Sequence, residues 1–341
     1  MTEPRTSAVE GLEDLFAVLD RVPFVAGVKR DAGRLRRLLY ERRPARLVVV
    51  GHGKSGRSTL LNLLMDRAVL PTGDDDALCD GDWIGVDAYG SRVSWLELSP
   101  GTDAALLGRA IREGGPDAVI ALIEVEASDA RATLRLARDL ARDEGRVPVL
   151  VVLAQTDRVA PRRARELSRD LAEQATELGL PSSRVFSVSA PTRSGVTVFA
   201  DALIEALPRC AQLESARAMP CARASRLRIA REIVRASGSL AVTVALVPLP
   251  LSDVAFLAPL QVAMVSSVAH LAGRAWNRET LSEWAASVGF VGGAGFGMRW
   301  GAQQLVKLIP GAGSFISAGI AGAGTAALGK SAIAWFLERE P

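Results

Sequence analysis

The sequence predicts an α/β architecture, a mostly parallel sheet with helices on both faces, followed by an all-α hydrophobic domain. Three observations lead there. Runs of Val, Leu and Ile alternate with amphipathic stretches from about residue 45 to 207, the pattern of strands buried on both faces. A glycine-rich segment, Gly51–Thr59, sits between one such run and an apolar helix. Beyond about residue 236 the chain is poor in charge and rich in Gly, Ala, Val and Leu.

Taken in order, residues 8–20 and 26–42 read as polar or amphipathic helices. The second is basic through Lys29, Arg30, Arg34, Arg36, Arg37, Arg42 and Arg43, and Pro44 ends it. Strand-like runs follow at 45–50, 83–89, 92–98, 117–125, 147–154 and 184–190, with helices near 57–68, 102–114, 129–143, 161–178 and 194–207. The short turn between 83–89 and 92–98 predicts one antiparallel hairpin in an otherwise parallel sheet. The expected organisation is N-terminal helices over 1–43, an α/β domain over 44–208, a basic linker helix over 209–236 and a hydrophobic helical domain over 237–341.

Composition narrows the chemistry. The 341 residues carry a net charge of +3, which gives no strong bias towards a polyanion. Three widely spaced cysteines, Cys79, Cys210 and Cys221, form neither a disulfide framework nor a metal-ligand pattern, and two histidines make a His-based metal site an unpromising reading. The first residues are acidic where a secretory signal needs basic and then apolar ones. Basic residues without interleaved aromatics argue against nucleic-acid binding.

The segment VVVGHGKSGRSTLLNLL carries the sharpest chemistry. Glycines after a strand let backbone N–H groups turn towards an anion, and the N-terminus of the following helix adds partial positive charge. Gly51, Gly56 and Ser58 match G-x-x-x-x-G-K-[ST], with Arg57 in the lysine position. Gly53, Lys54, Ser55 and Thr59 complete the candidate phosphate cradle, and Ser58 is the candidate Mg²⁺ ligand. Arginine keeps the charge of lysine but is larger and planar. The plainer alternative is a tight glycine turn with no ligand.

VVVGHGKSGRSTLLNLLMDRAVLPTG resembles the start of bacterial dynamin-like and Era-like GTPases of the TRAFAC class, where "LLN" and "LPTG" follow the loop. The resemblance implies a P-loop GTPase-type sheet that binds GTP or GDP with Mg²⁺. Its guanine-recognition motif N/T-K-x-D falls on Ala154, Gln155, Thr156 and Asp157. Asp157 would accept hydrogen bonds from guanine N1–H and the 2-amino group, and Ser189 and Ala190 match the motif that offers a backbone amide to the guanine oxygen. Two positions depart from the family. Its D-x-P-G motif reads Leu98-Ser99-Pro100-Gly101, and no threonine stands near Asp75–Leu78, where Asp74, Asp75 and Asp76 lie instead. Strand alternation turns Glu97 to the opposite face from Leu98, which makes it a poor substitute for the missing acid. Lys54 stands where potassium-dependent relatives have an asparagine, so its ammonium could take a monovalent cation's place; a solvent-facing lysine is the equal alternative.

In the last third, Gly289, Gly293, Gly297 and Gly301 recur every fourth residue, and Gly313, Ser317, Ala321, Thr325 and Gly329 form a second small-residue row. The basic helix 217–235 holds six arginines against one acid, suited to anionic lipid. Val254–Gly273 and Leu308–Gly329 are candidate spans, since about 20 apolar residues cross a bilayer. Trp276, Trp300 and Trp335 stand near the ends of apolar stretches as interfacial anchors would. The alternative is a soluble Ala/Gly-rich helical domain. PLPLSDVAFLAPLQVAMV and LIPGAGSFISAGIAGAGTAALGKSAIAWF are similar to the domain of unknown function of YcjF-like membrane proteins, over roughly 225–337.

The expected function is GTP binding, with hydrolysis left open, coupled to a membrane-associated helical domain. The expected partners are guanine nucleotide, membrane lipid and a second copy of the chain, with no nucleic acid. The expected location is cytoplasmic, at the inner face of the cytoplasmic membrane. Two alternatives stand beside it: a degenerate pseudo-GTPase scaffold with little or no hydrolysis, and a membrane-acting effector.

Overall fold

The structure, a computed structural model, describes residues 26–39, 41–71, 82–102, 115–143, 147–180, 185–246, 252–274, 280, 283–284 and 313–339. The chain divides into two compact units, Arg42–Ser225 and a second made of Met1–Glu41 with Arg226–Pro341.

The Arg42–Ser225 unit is α/β. Its strands are β1 (Ala45–Val50), β2 (Ile84–Ala88), β3 (Ser91–Leu98), β4 (Ala118–Glu124), β5 (Val149–Ala154) and β6 (Val185–Ser187). They form one sheet in the order β2-β3-β1-β4-β5-β6. β2 runs antiparallel to β3, pairing Ile84 with Trp95 and Ala88 with Ser91, so the predicted hairpin is present. All other pairs are parallel. β1 lies between β3 and β4, with Val50 beside Leu98 on one side and Ala121 on the other. Every residue of β5 is buried, which explains its unbroken VLVVLA.

After α1 (Ala26–Leu39), which belongs to the other unit, the helices of this unit are α2 (Arg57–Met65), α3 (Ala130–Asp143), α4 (Pro161–Glu177), α5 (Val196–Ala206) and α6 (Arg209–Ala218). One face of the sheet packs Val48, Val50, Leu96, Leu98, Val119 and Val151 against Leu134, Ala137 and Leu140 of α3 and Leu171 of α4. Alternation sends Trp95, Glu97, Leu47 and Val49 to the opposite face, where α6 contacts β1, β2 and β3.

Helix α6 alters the expected domain limits. The segment 209–236 is two helices, α6 and α7 (Arg223–Leu246), separated by Met219–Ala222. α6 is part of the α/β unit: Leu213 and Ala216 are buried, and Ser91 Oγ donates to Glu214, which also pairs with Arg42 at 3.2 Å. Arg42 and Arg43 belong here as well. Arg43 grips Asp117 with two hydrogen bonds of 2.7 and 2.6 Å, and its guanidinium is held above its ordinary value by that carboxylate. The expected basic stripe over 217–235 is not one surface. Arg217 is buried and donates to the Tyr89 carbonyl, because the β2–β3 turn leaves that oxygen without a ladder partner.

In the helical unit, α7 continues to Leu246 and is joined by α8 (Ser252–Leu271) and α9 (Gly313–Phe336). Arg226, also buried, donates to the Leu271 carbonyl at 2.8 Å, satisfying one of the orphan carbonyls at the end of α8. Among the described positions of α9 the buried ones are Gly322, Thr325, Gly329, Ala332, Ile333 and Phe336, a three-four spacing widened at Ile333 rather than the predicted every-fourth row. Small residues there permit close approach. A methyl group on Gly322 would lie 2.3 Å from Val242 of α7, and one on Gly329 would lie 2.5 Å from Val234. Gln261 of α8 donates to Thr325 of α9 at 3.0 Å, so these two polar residues serve helix packing. Among the described residues no helix is long and apolar enough to cross a membrane. The expected helices 8–20 and 102–114, the row Gly289–Gly301, Trp276, Trp300 and Asp74–Asp76 lie outside the described residues.

Candidate functional site

The loops that leave the carboxyl ends of β1, β3, β5 and β6 gather the predicted site residues. Because β1 is flanked in the sheet by β3 on one side and β4 on the other, with β2 and β3 laid to one side and β4, β5 and β6 to the other, its carboxyl end is where the chain reverses direction across the sheet. Ligands of open α/β sheets sit at such points.

Residues 51–56 join β1 to α2. Gly51 donates to the Leu98 carbonyl at 3.0 Å, and Ser55 N–H donates to the His52 carbonyl at 3.2 Å. Glycine is required at 51 by space: a methyl group would lie 2.8 Å from the Leu122 carbonyl and 2.6 Å from Ser55 Oγ. Lys54 takes a left-handed conformation at φ 66°, and Gly56 does so at φ 93° as the residue before α2. The turn thus brings its chain back on itself ahead of the first amides of α2, which have no intrahelical acceptor. Gly53 and Lys54 are exposed, whereas Ser55 is buried with its hydroxyl unpaired.

Under the loop, Arg57 is almost fully buried. Its Nη1 donates to Ser99 Oγ at 2.9 Å and to the Gly51 carbonyl at 3.3 Å, and its Nε pairs with Glu97 at 3.3 Å. Glu97 Oε1 also accepts from Ser58 Oγ at 3.2 Å and from Trp95 Nε1 at 3.0 Å. Glu97 therefore corrects the sequence reading. It does stand on the face opposite Leu98, but α2 runs along that face, so its carboxylate meets Arg57 and Ser58 directly. Leu98 is buried in the core beside Val50 and Leu96. Ser99 is a second residue that sequence reasoning missed. It heads a turn closed by Thr102, whose hydroxyl donates to the Ser99 carbonyl at 2.7 Å.

After β5, Gln155 is left-handed at φ 59° and starts the short 3₁₀ turn Thr156–Arg158. This turn presents Asp157 at the surface, where its Oδ1 accepts from Ser189 Oγ at 2.8 Å. β6 ends at Ser187 because the chain then turns to bring Ser189 to Asp157. Val188 still donates to Leu153 at 2.8 Å, and Thr156 donates to Val188 at 3.3 Å. Gly195 closes the turn at φ 75°, and a methyl group there would lie 1.9 Å from the Ser187 carbonyl. Arg193 pairs with Asp66, the residue that ends α2, so the 189–195 turn is tied to the loop's own helix. Gln155 completes the assembly. Its Nε2 donates to the Lys54 carbonyl at 3.1 Å, joining the β1 loop to the β5 turn, and its Oε1 accepts from Arg158 at 2.7 Å.

The structure thus brings Gly51–Thr59, Gln155, Asp157, Ser189 and Ala190 to one edge of the sheet. Asn62 serves them from behind: its side chain bonds Val69 N–H, Leu70 N–H and the Leu70 carbonyl at 2.8–2.9 Å, fixing the chain that leaves α2. Among the described residues no group of three or more His, Cys, Asp or Glu side chains is placed to hold a metal ion.

Residues 209–340 match a protein family described as "Domain of unknown function (DUF697)". The C-terminal third therefore carries a domain of that kind, beginning at α6. No curated protein matches the chain. Among solved structures, a crystal structure of an SsGBP mutation variant is 18% identical with a TM-score of 0.32. That match covers 54% of this chain and 63% of the other, less than two thirds of its length, and at that distance it carries no argument.

Proposed function

We propose that the Arg42–Ser225 unit is a guanine-nucleotide-binding module of the P-loop GTPase type, coupled through α6 and α7 to the domain of unknown function. The observation that carries this reading is the Gln155–Lys54 bond. It links an anion-suited glycine loop to a turn presenting an exposed carboxylate, so one extended ligand could touch both. A polyphosphate would lie against the amides of 53–58 and the first turn of α2. Asp157, oriented by Ser189, would accept from guanine N1–H and the 2-amino group. Adenine offers no matching pair of donors and would leave the carboxylate unpaired. Ala190, beside Ser189, would supply the backbone amide for the guanine oxygen.

Calorimetric titration of the whole chain with GTP, GDP and ATP tests this. GTP and GDP should bind and ATP should bind at least about tenfold more weakly, a difference of ~1.4 kcal/mol. Asp157→Asn should lower GDP affinity and raise that for xanthosine diphosphate, whose 2-oxo group accepts where guanine donates. Equal binding of ATP and GTP would remove the role given to Asp157.

A second reading, a scaffold that binds nucleotide without turning it over, is supported by the side chains around α2. Leu98 replaces the family's acid, and the hydroxyl of Ser58 is bonded to Glu97. We also propose that the helical domain is the part that meets membrane lipid at the cytoplasmic face, or a second copy of the chain. Nucleotide-dependent ordering near 99–102 would bias those contacts.

A further inference from the structure

The resemblance to P-loop GTPases implies a Mg²⁺ ion on the hydroxyl of Ser58, and the side chains around that hydroxyl do not fit one. A divalent cation there needs oxygen ligands that carry uncompensated negative charge and lone pairs to spare. Among the described residues the carboxylate within reach is Glu97, and three donors already engage it: Ser58 Oγ at 3.2 Å, Trp95 Nε1 at 3.0 Å and the Arg57 guanidinium at 3.3 Å. Arg57 neutralises its charge, and both residues are almost fully buried, where the mutual attraction is screened least. A dication brought to Ser58 would stand a few ångströms from a fixed guanidinium. Where the resembled GTPases carry the acid of D-x-P-G this chain has Leu98, which packs into the opposite core.

From this we infer that Arg57, Glu97 and Ser58 fill the place of a metal with a neutral hydrogen-bonded cluster, so that the loop amides bind the nucleotide phosphates without a divalent cation. The inference rests on the nucleotide reading above and specifies how its phosphate half works. The Arg57 guanidinium, bonded to the Gly51 carbonyl and Ser99, braces the loop from beneath. Glu97 holds that guanidinium in place through its Oε2 and holds the Ser58 hydroxyl through its Oε1. Loop amides, which need no cation, provide the donors to phosphate. Arginine suits this task better than lysine because its planar fork keeps a contact to Glu97, Ser99 and Gly51 at once.

The test is calorimetry on the whole chain with GDP and with a non-hydrolysable GTP analogue, each in Mg²⁺ and in EDTA. The expected result is binding in both conditions with dissociation constants within about threefold of one another. Binding tightened by about tenfold or more in Mg²⁺ would overturn the inference while leaving the nucleotide reading intact. No binding in either condition would overturn the nucleotide reading itself, and the inference with it. Ser58→Ala gives a second arm that spares the fold, since Trp95 and Arg57 still satisfy Glu97. Its effect on affinity should be the same in Mg²⁺ and in EDTA; a loss confined to Mg²⁺ would assign the hydroxyl to a metal after all.

Discussion

Arg57 and Glu97 illustrate how one buried pair can govern both stability and chemistry. Each is about 5% exposed, and each satisfies the other together with Trp95, Ser58, Ser99 and Gly51. Burying two charges is costly, and their attraction offsets the cost only while both remain. Glu97→Ala should therefore destabilise the chain by about 3–5 kcal/mol, because it strands a guanidinium under the loop. Replacing both, with Arg57→Met and Glu97→Leu together, should recover most of that loss. Urea unfolding followed by circular dichroism would measure both effects. If the double variant were no more stable than Glu97→Ala, the pair would not be the source of the penalty. Glu97 stands on the face of β3 opposite Leu98, so its meeting with Arg57 and Ser58 depends on where α2 lies, which no residue-by-residue comparison of motifs could register.

Individual elements show where pattern reading succeeds and where it stops. The six strands and the helices after β1, β4 and β5 were legible because apolar periodicity is a local property of burial. The hairpin β2–β3 was legible for the same reason. The site was legible where it depends on chain order: Gly51–Thr59 after β1, Asp157 after β5 and Ser189 after β6 meet because parallel strands deliver all their carboxyl ends to one edge. What stayed hidden depends on which helix covers which face. Glu97 alternates away from Leu98 as expected, yet its importance comes from α2 lying there. The same holds for α9, where every small residue looks alike in sequence but only a three-four seam is buried. Gly329 faces Val234 and Met264, whereas Gly324 has no atom within 4 Å of an added methyl group. Gly329→Val should destabilise the helical unit by about 1–3 kcal/mol through overpacking. Gly324→Ala should stabilise it by up to about 1 kcal/mol, since alanine is the better helix former. Thermal unfolding of the two variants separates them; equal shifts would mean the seam has been placed on the wrong face of α9.

At the scale of the molecule, the family match and the compact units place different limits on the chain, and the difference has a physical content. The domain of unknown function is matched from residue 209, but the α/β unit extends to Ser225. The overlap is α6 and the start of α7. Leu213 and Ala216 of α6 are buried, Glu214 is bonded to Ser91 and Arg42, and Arg217 caps the β2–β3 turn at Tyr89. Burial pulls the Arg217 guanidinium below its ordinary value, while Glu214 opposes the shift. Farther along, Ser225 N–H donates to Asp201 at 2.7 Å and its hydroxyl donates to the Asp201 carbonyl at 3.1 Å. A sheet that ended at residue 208, as its strand pattern alone suggests, would expose the β3 face that α6 covers. A single buried leucine is worth about 1.5–3 kcal/mol, and a typical domain has only ~5–15 kcal/mol in total. A fragment spanning 42–225 should therefore unfold cooperatively on its own, and a fragment spanning 42–208 should be largely unfolded or aggregated at the same temperature. Circular dichroism melts and urea titrations of the two would decide. Matching stabilities would show that α6 belongs with the helical domain, and that its bonds to Ser91, Tyr89 and Arg42 do not contribute to the α/β core. The helix that stabilises these strands is followed, after four residues, by the first helix of the C-terminal unit.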